Sequence, residues 1–330
     1  MKVKFVICSL FVLMFSAQFV CAADNLETTA GLQHAYILNN TTNSVTVCKI
    51  GGQGLLLSLL NNCNNIEPQE DHSDLLNGPI AMAFNSDEVY ILNTSGSVVM
   101  CATMNGSLSS CTPVAGTNPA LLSNPYGIAI NNNFVYITNT TGNSYTQCKI
   151  DTNSGNFSAC GNKPTGSNAD PFGIAINDNA IYMASSSGYP NYYSGYLLCA
   201  NDAANCNVDY GSSLGLTNPM AITINNGYMY ITDMYANDLP YAGVTECTIN
   251  TTNGQLTNCN TQNITDNSYN SFFQGIAISN NYAYITDINT IGQYVICPIN
   301  PSTGTIGPNK NCSIIQNISS LNGPTEIVIH

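Results

Sequence analysis

Three carboxylates, a group of tyrosines and twelve evenly distributed cysteines are the residues in this chain whose types and spacing could do chemistry. Asp233 and Asp287 each close a Tyr-Ile-Thr-Asp phrase. Glu326 stands where the parallel segments have only Gly or Ala, at Ala81, Gly127, Gly173, Ala221 and Gly275. Brought together, the three would offer hard oxygen ligands of the kind Ca²⁺ takes. A divalent cation held that way polarises a carbonyl for hydrolysis. The plainer role for Asp233 and Asp287, shared with Asn39, Asn93, Asn139 and Ser185 at the same phrase end, is to satisfy turn amides. A second chemistry is aromatic. Tyr189, Tyr192, Tyr193 and Tyr196 fall in one segment, and Tyr235 and Tyr241 in another with Asp238 between them. Tyrosine gives a large contact area at low entropic cost, which suits recognition of a protein or glycan. His34, His72 and His330 form no acid–base pattern, and the chain has no phosphate loop or dinucleotide fingerprint.

The elements that must position these residues repeat. NPYGIAINNNFVYITN (124–139) returns as DPFGIAINDNAIYMAS (170–185), NPMAITINNGYMYITD (218–233) and FFQGIAISNNYAYITD (272–287), with a diverged copy at 78–93. The phrase tyrosines Tyr90, Tyr136, Tyr182, Tyr230 and Tyr284 are separated by 46, 46, 48 and 54 residues. Gly-Ile-Ala-Ile predicts an inner strand, the Asn/Asp/Gly pair a tight hairpin, and Val-Tyr-Ile-Thr the return strand. Two further strands complete each unit. Four strands in about 50 residues is the unit of a propeller blade. Tyr36 belongs to a sixth copy that lacks its inner strand, and the missing strand recurs as GPTEIVIH at 323–330. The expectation is an all-β, six-bladed β-propeller with four antiparallel strands per blade, its ring closed by the C-terminal strand joining blade 1. Ile80, Tyr126, Phe172, Met220, Gln274 and Thr325 would surround the channel mouth, either as inter-blade packing or as a platform for an apolar ligand.

The cysteines follow the same repeat: Cys48/Cys63, Cys101/Cys111, Cys148/Cys160, Cys199/Cys206, Cys247/Cys259 and Cys297/Cys312. Each pair brackets one predicted outer hairpin, where cross-strand neighbours come within disulfide reach. Zinc sites want shorter spacings and a convergent second pair. Six intrablade disulfides are expected, and they imply an oxidising compartment.

Residues 1–23 combine Lys2 and Lys4, an apolar run and small residues at Cys21, Ala22 and Ala23, the pattern of a cleaved signal peptide. Residues 24–330 would then form one domain, secreted or periplasmic and without integral membrane association. Cleavage leaves Lys49, Lys149, Lys163 and Lys310 against 19 acidic residues. Such a surface repels polyanions and excludes nucleic acid as a partner.

The phrase NPYGIAI…VYITN, followed by Cys-Lys-Ile-Asp-Thr-Asn-Ser-Gly-Asn-Phe (148–157), resembles the repeat of YVTN-type and lactonase-like β-propellers, and VYITN and AYITD resemble the NHL repeat. The resemblance spans residues 31–330 and implies the propeller fold. Its members include enzymes, surface proteins and binding scaffolds, and the paired cysteines suggest a secreted branch. The leading expectation is an exported, disulfide-stapled binding module for a protein or glycan, with no cofactor. The alternative is a lactonase-type hydrolase with Ca²⁺ on Asp233, Asp287 and Glu326.

Overall fold

The computed structural model describes residues 33–51, 59–66, 75–166, 169–178, 180–186, 194–200, 206–210, 214–234, 242–264, 271–288, 293–307, 311–316 and 318–330. The predicted signal segment lies outside them. Six four-stranded antiparallel sheets form the blades of a ring. From the channel outward, blade 1 consists of β24 (Pro324–Ile329), β1 (His34–Asn39), β2 (Ser44–Ile50) and β3 (Leu60–Ile66). Blade 2 is β4 (Pro79–Asn85), β5 (Glu88–Asn93), β6 (Val98–Met104) and β7 (Ser107–Pro113). Blade 3 is β8 (Pro125–Asn131), β9 (Phe134–Asn139), β10 (Ser144–Ile150) and β11 (Phe157–Pro164). Blade 4 is β12 (Pro171–Ile176), β13 (Ala180–Ser186), β14 (Ser194–Ala200) and β15 (Cys206–Tyr210). Blade 5 is β16 (Pro219–Asn225), β17 (Tyr228–Asp233), β18 (Gly243–Ile249) and β19 (Leu256–Asn263). Blade 6 is β20 (Phe273–Ser279), β21 (Tyr282–Asp287), β22 (Gln293–Pro298) and β23 (Ser313–Ile315). No helix among the described residues is long and apolar enough to cross a membrane.

Closure is as the repeat pattern predicted. β24 pairs with β1 in the register Leu38↔Glu326, Ile37↔Ile327 and Tyr36↔Val328. His34 and His330 exchange both backbone hydrogen bonds, at 2.8 and 2.9 Å. The last strand thus occupies the edge that β1 would otherwise expose. The inner hairpins turn on left-handed residues, Asn132, Asn226 with Gly227, and Asn280 with Asn281. Asn tolerates positive φ through local side-chain bonds, which explains the Asn-rich tips.

The core is six apolar clusters, one at each blade junction. At three junctions the phrase tyrosine forms a latch. Tyr90 Oη donates to Gly155 O (3.1 Å), Tyr182 to Gly254 O (2.9 Å) and Tyr230 to Gly304 O (2.9 Å), each crossing to the outer turn of the next blade. The turn must be glycine there. At Gly155 φ is +68°, and a Cβ would stand 2.1 Å from Met100 Sδ and 2.9 Å from the tyrosine hydroxyl.

All six disulfides form as paired by the repeat: Cys48–Cys63, Cys101–Cys111, Cys148–Cys160, Cys199–Cys206, Cys247–Cys259 and Cys297–Cys312, with Cα–Cα distances of 4.0 to 4.2 Å. They lie at the outer rim, between the third and fourth strands. Their local geometry corrects the expectation of simple cross-strand neighbours, which only Cys199↔Cys206 meets in the strand register. Cys63, Cys111, Cys160 and Cys259 have no partner in the ladder; each sits where the register of its outer hairpin shifts. The residue before each of them (Asn62, Ser110, Ala159, Asn258) adopts φ between 49° and 51°. This β-bulge adds one residue to the fourth strand and turns the second cysteine toward its partner. In blade 6 the fourth strand is short, and Cys312 stands just before β23 rather than within it. There Ile296↔Ser313 is the last ladder pair, so the Cys297–Cys312 bridge follows directly on the end of the sheet. The first cysteine of every pair is buried, whereas Cys63, Cys160, Cys206, Cys259 and Cys312 are only partly so.

Candidate functional site

The Thr-Asn/Asp ending of the repeat phrase does its work against backbone. Where β8, β16 and β20 break register against their partners, an inner amide is freed and a threonine accepts it. Gly127 N donates to Thr138 Oγ1 (2.7 Å), Ala221 N to Thr232 Oγ1 (2.9 Å) and Gly275 N to Thr286 Oγ1 (2.8 Å). The next residue ties down the chain arriving from the preceding blade. Asn93 Oδ1 accepts from Asn77 N (3.0 Å), Asn139 Oδ1 from Ser123 N (3.2 Å) and Asn39 Oδ1 from Asn322 N (3.0 Å). Ser185 reaches Ala169 O instead.

The two aspartates belong to this ring. Asp233 is fully buried, its Oδ2 accepting from Thr217 N (2.6 Å) and its Oδ1 from Asn218 N (2.8 Å). Asp287, also fully buried, accepts from Phe272 N (3.0 Å) and Gln293 Nε2 (2.6 Å). Buried carboxylates need such charge-assisted partners. Both carboxylates are therefore engaged as the turn-amide role requires. Among the described residues no three His, Cys, Asp or Glu side chains converge as a metal site needs. The expected ligand set of Asp233, Asp287 and Glu326 is corrected accordingly: Asp233 holds two backbone amides, Asp287 one backbone amide and Gln293, and Glu326 lines a cavity whose lining includes neither aspartate.

Glu326 lines the central channel. The cavity there has a volume of about 230 Å³ and is walled by the inner strands, with Met82, Tyr126, Ile174, Met220, Ile276 and Glu326 among its side chains. Glu326 receives one hydrogen bond, from Ile327 N to Oε1 at 3.2 Å. Burial in the ring pushes its carboxyl up to about 8, with the Ile327 amide opposing weakly. Tyr126 faces the same space; burial, and then the charge of Glu326, raise its phenol above the usual range. Small residues at the Glu326 position in other blades have a steric cause. A Cβ on Gly275 would stand 2.8 Å from Glu326 Cα, and one on Gly173 2.6 Å from Met220 O.

At the channel mouth Tyr126 and Phe172, from adjacent blades, meet edge to face with ring centroids 4.9 Å apart. Of the other members of that expected ring, Ile80, Met220 and Thr325 are engaged between blades, Ile80 against the blade 2–3 cluster. Met220 is buried, and Thr325 Oγ1 donates to Pro79 O across the blade 1–2 junction (3.2 Å). Pro125 pairs with Asn139 and Pro171 with Ser185, so inner strands start level with the ends of second strands. The connections carrying Tyr189, Tyr192 and Tyr193, and Tyr235, Asp238 and Tyr241, follow those second-strand ends and lie outside the described residues.

Tyr196 is a correction. It is 1% exposed, and its hydroxyl accepts from Leu256 N (3.1 Å) in blade 5 and donates to Asp209 Oδ2 (3.4 Å). It is a junction residue, not part of a binding patch. The signal was in the repeat: Tyr196 stands three residues before its blade's first cysteine, as do buried Val45, Val98, Tyr145, Val244 and Tyr294.

No protein-family model and no curated protein sequence matches the chain. Solved structures do. A chain from a nidogen/laminin complex superposes with a TM-score of 0.62 at 12% identity, covering 90% of this chain and 98% of that one. The periplasmic gluconolactonase of Pseudomonas aeruginosa gives 0.57 at 10% identity, covering 90% and 99%. A 6-phosphogluconolactonase candidate from Bacteroides uniformis gives 0.57 at 12% identity, covering 92% and 86%. These likenesses establish a lactonase-like β-propeller fold and nothing about activity.

Proposed function

We propose that this chain is an exported, disulfide-stapled binding module that takes a protein or glycan ligand on the face where the inner strands begin. The observation that carries the reading is the Tyr126–Phe172 pair, two half-buried aromatic rings held edge to face at the channel mouth. Aromatic pairs of this kind anchor ligands, because they remove much apolar area from water while keeping fixed geometry. Tyr189, Tyr192, Tyr193, Tyr235, Asp238 and Tyr241 belong to connections that follow second strands on this side, and they would widen the contact. The ring of strand-end polar residues supports the same reading, since its carboxylates are engaged within the fold by backbone amides and Gln293 and leave recognition to the aromatics. The paired cysteines and signal-like start fit a secreted or periplasmic branch of the YVTN/NHL-like propellers. A chain of the same fold occurs in a nidogen/laminin complex, a precedent for protein recognition by such a ring.

The test uses defined glycan and peptide arrays with the oxidised protein. Tyr192→Ala and Tyr235→Ala should each weaken a captured ligand by roughly tenfold or more, as loss of an aromatic anchor does, at an unchanged melting midpoint. Equal capture by both variants removes the case for those connections.

A further inference from the structure

We propose that the central channel binds a primary alkylammonium group, with Glu326 as its counter-ion. This site shares Tyr126 with the channel mouth, but it rests on the channel lining and does not depend on what the mouth binds. Three features of the channel select that chemistry. Every blade contributes an apolar side chain to its lining, from Met82, Ile128, Ile174, Ile222, Ile276 and Val328, with Tyr126 and Thr223 the polar side chains beside Glu326. Each wall strand is also the edge of its sheet, so backbone carbonyls that no neighbouring strand occupies face inward. Glu326 is the one carboxyl in that lining.

An alkylammonium ion matches all three. Its chain lies on the aliphatic wall, while its three N–H donors meet the carboxylate and nearby carbonyls. A carboxylate ligand would meet Glu326 as a like charge. A bare divalent cation would need more anionic ligands than one glutamate gives. The space is adequate, because ~150 Å³ already holds benzene and this cavity measures about 230 Å³. The surrounding field favours entry of a cation, the whole chain carrying a net charge of −13.

Binding moves one proton. The ammonium enters charged, Glu326 gives up its carboxyl proton to solvent, and the bound pair is carboxylate with ammonium. Tyr126 from β8 is the titratable side chain that senses the Glu326 charge. Of the strands packed on β24, β4 and β20 carry no titratable residue. β1 carries His34 and Tyr36, and β21 carries Tyr282, Tyr284 and Asp287. None of these contributes to the Glu326 shift, which comes from burial opposed by the Ile327 amide.

The experiment is calorimetric titration of n-butylammonium chloride into the oxidised wild type. One-to-one binding is expected, tightening by roughly tenfold between about pH 6 and about pH 7 as the ionised fraction of Glu326 grows. Glu326→Gln should weaken it by roughly tenfold or more, since the counter-ion is gone. The pH comparison needs no variant, so a poorly folding mutant does not spoil the test. Nα-acetyl-lysine amide separates the sources. Competition by it points to a protein-borne lysine, and binding of butylammonium alone to a free amine. Absence of binding at millimolar concentration, equal binding of n-butanol, unchanged affinity in Glu326→Gln, or an affinity flat in pH would each overturn the proposal.

Discussion

At the scale of single residues, the carboxyls of Asp233 and Glu326 make opposite predictions. Asp233 holds two backbone amides. Asp233→Ala leaves both without their acceptor and should cost about 2–4 kcal/mol by denaturant unfolding. Asp233→Asn, which restores the residue type of blades 1 to 3, should cost clearly less. A metal role would instead make both variants equally inert toward added Ca²⁺. Glu326 is held up to about 8 from an ordinary 4.5. A carboxyl raised in the folded state holds its proton more tightly there than in the unfolded chain. Its contribution to stability is complete below about pH 4.5 and is lost as the pH climbs through about 8. Buried Glu246 is raised too, again by burial, with bonds from Asn260, Ile306 and Gln262 opposing, so it adds in the same direction. Glu326→Gln, always neutral, should raise the melting midpoint by several degrees at about pH 8.5 and change it little at about pH 5. An equal shift at both values would mean that Glu326 is ionised in the fold throughout. Glu326 was legible from sequence as a departure from Gly or Ala. Its isolation from Asp233 and Asp287 was not, because neighbouring blades say nothing about the direction in which a side chain leaves its strand.

At the scale of elements, the repeat phrase reads as a building instruction with one task per residue. In blades 2, 4 and 5 the tyrosine crosses to the next blade's outer turn, in blades 3, 5 and 6 the threonine takes the amide of the inner bulge, and Asn or Asp ties in the incoming chain. Tyr230→Phe keeps the ring and removes only the bond to Gly304 O, so it should cost about 1 kcal/mol. Gly304→Ala should cost more, because a Cβ there would stand 2.4 Å from the Tyr228 ring at φ +68°. Equal costs would mean that the turn relaxes away from its neighbour. Removing one staple, as in Cys247→Ser with Cys259→Ser, should cost about 2–3 kcal/mol and leave the other five bridges intact by mass analysis after alkylation. The strand pattern and the cysteine pairing could be read because they recur at the same spacing in every blade. The bulges that place Cys63, Cys111, Cys160 and Cys259 could not, since Asn62, Ser110, Ala159 and Asn258 share a backbone conformation but little side-chain chemistry. Tyr196 was misplaced for a related reason. Its local neighbourhood of tyrosines suggested a surface patch, whereas its offset from Cys199 assigned it to the core.

At the scale of the whole molecule, a ring of six nearly equivalent junctions has no single core, and its integrity depends on closure. Deleting residues 323–330 removes β24, uncovers β1, and takes Glu326 and Ile327 from the channel wall. Such a chain should lose its cooperative melting transition and associate through the open edge; a monomeric protein with an unchanged midpoint would mean that closure contributes little. The six-fold architecture was legible because repetition amplifies a weak strand signal, and the ring closure because one copy lacks a strand that the chain supplies elsewhere. The proposed functions rest where symmetry breaks, at the Tyr126–Phe172 pair, at Glu326, and in the tyrosine-rich connections of blades 4 and 5. The most direct test of the binding reading is capture on defined glycan and peptide arrays by the wild type beside a Tyr126→Ala/Phe172→Ala double variant. The wild type should retain at least one ligand class that the variant loses by roughly tenfold or more, with both proteins melting alike. A wild type that captures nothing, or a double variant that captures equally well, would contradict it.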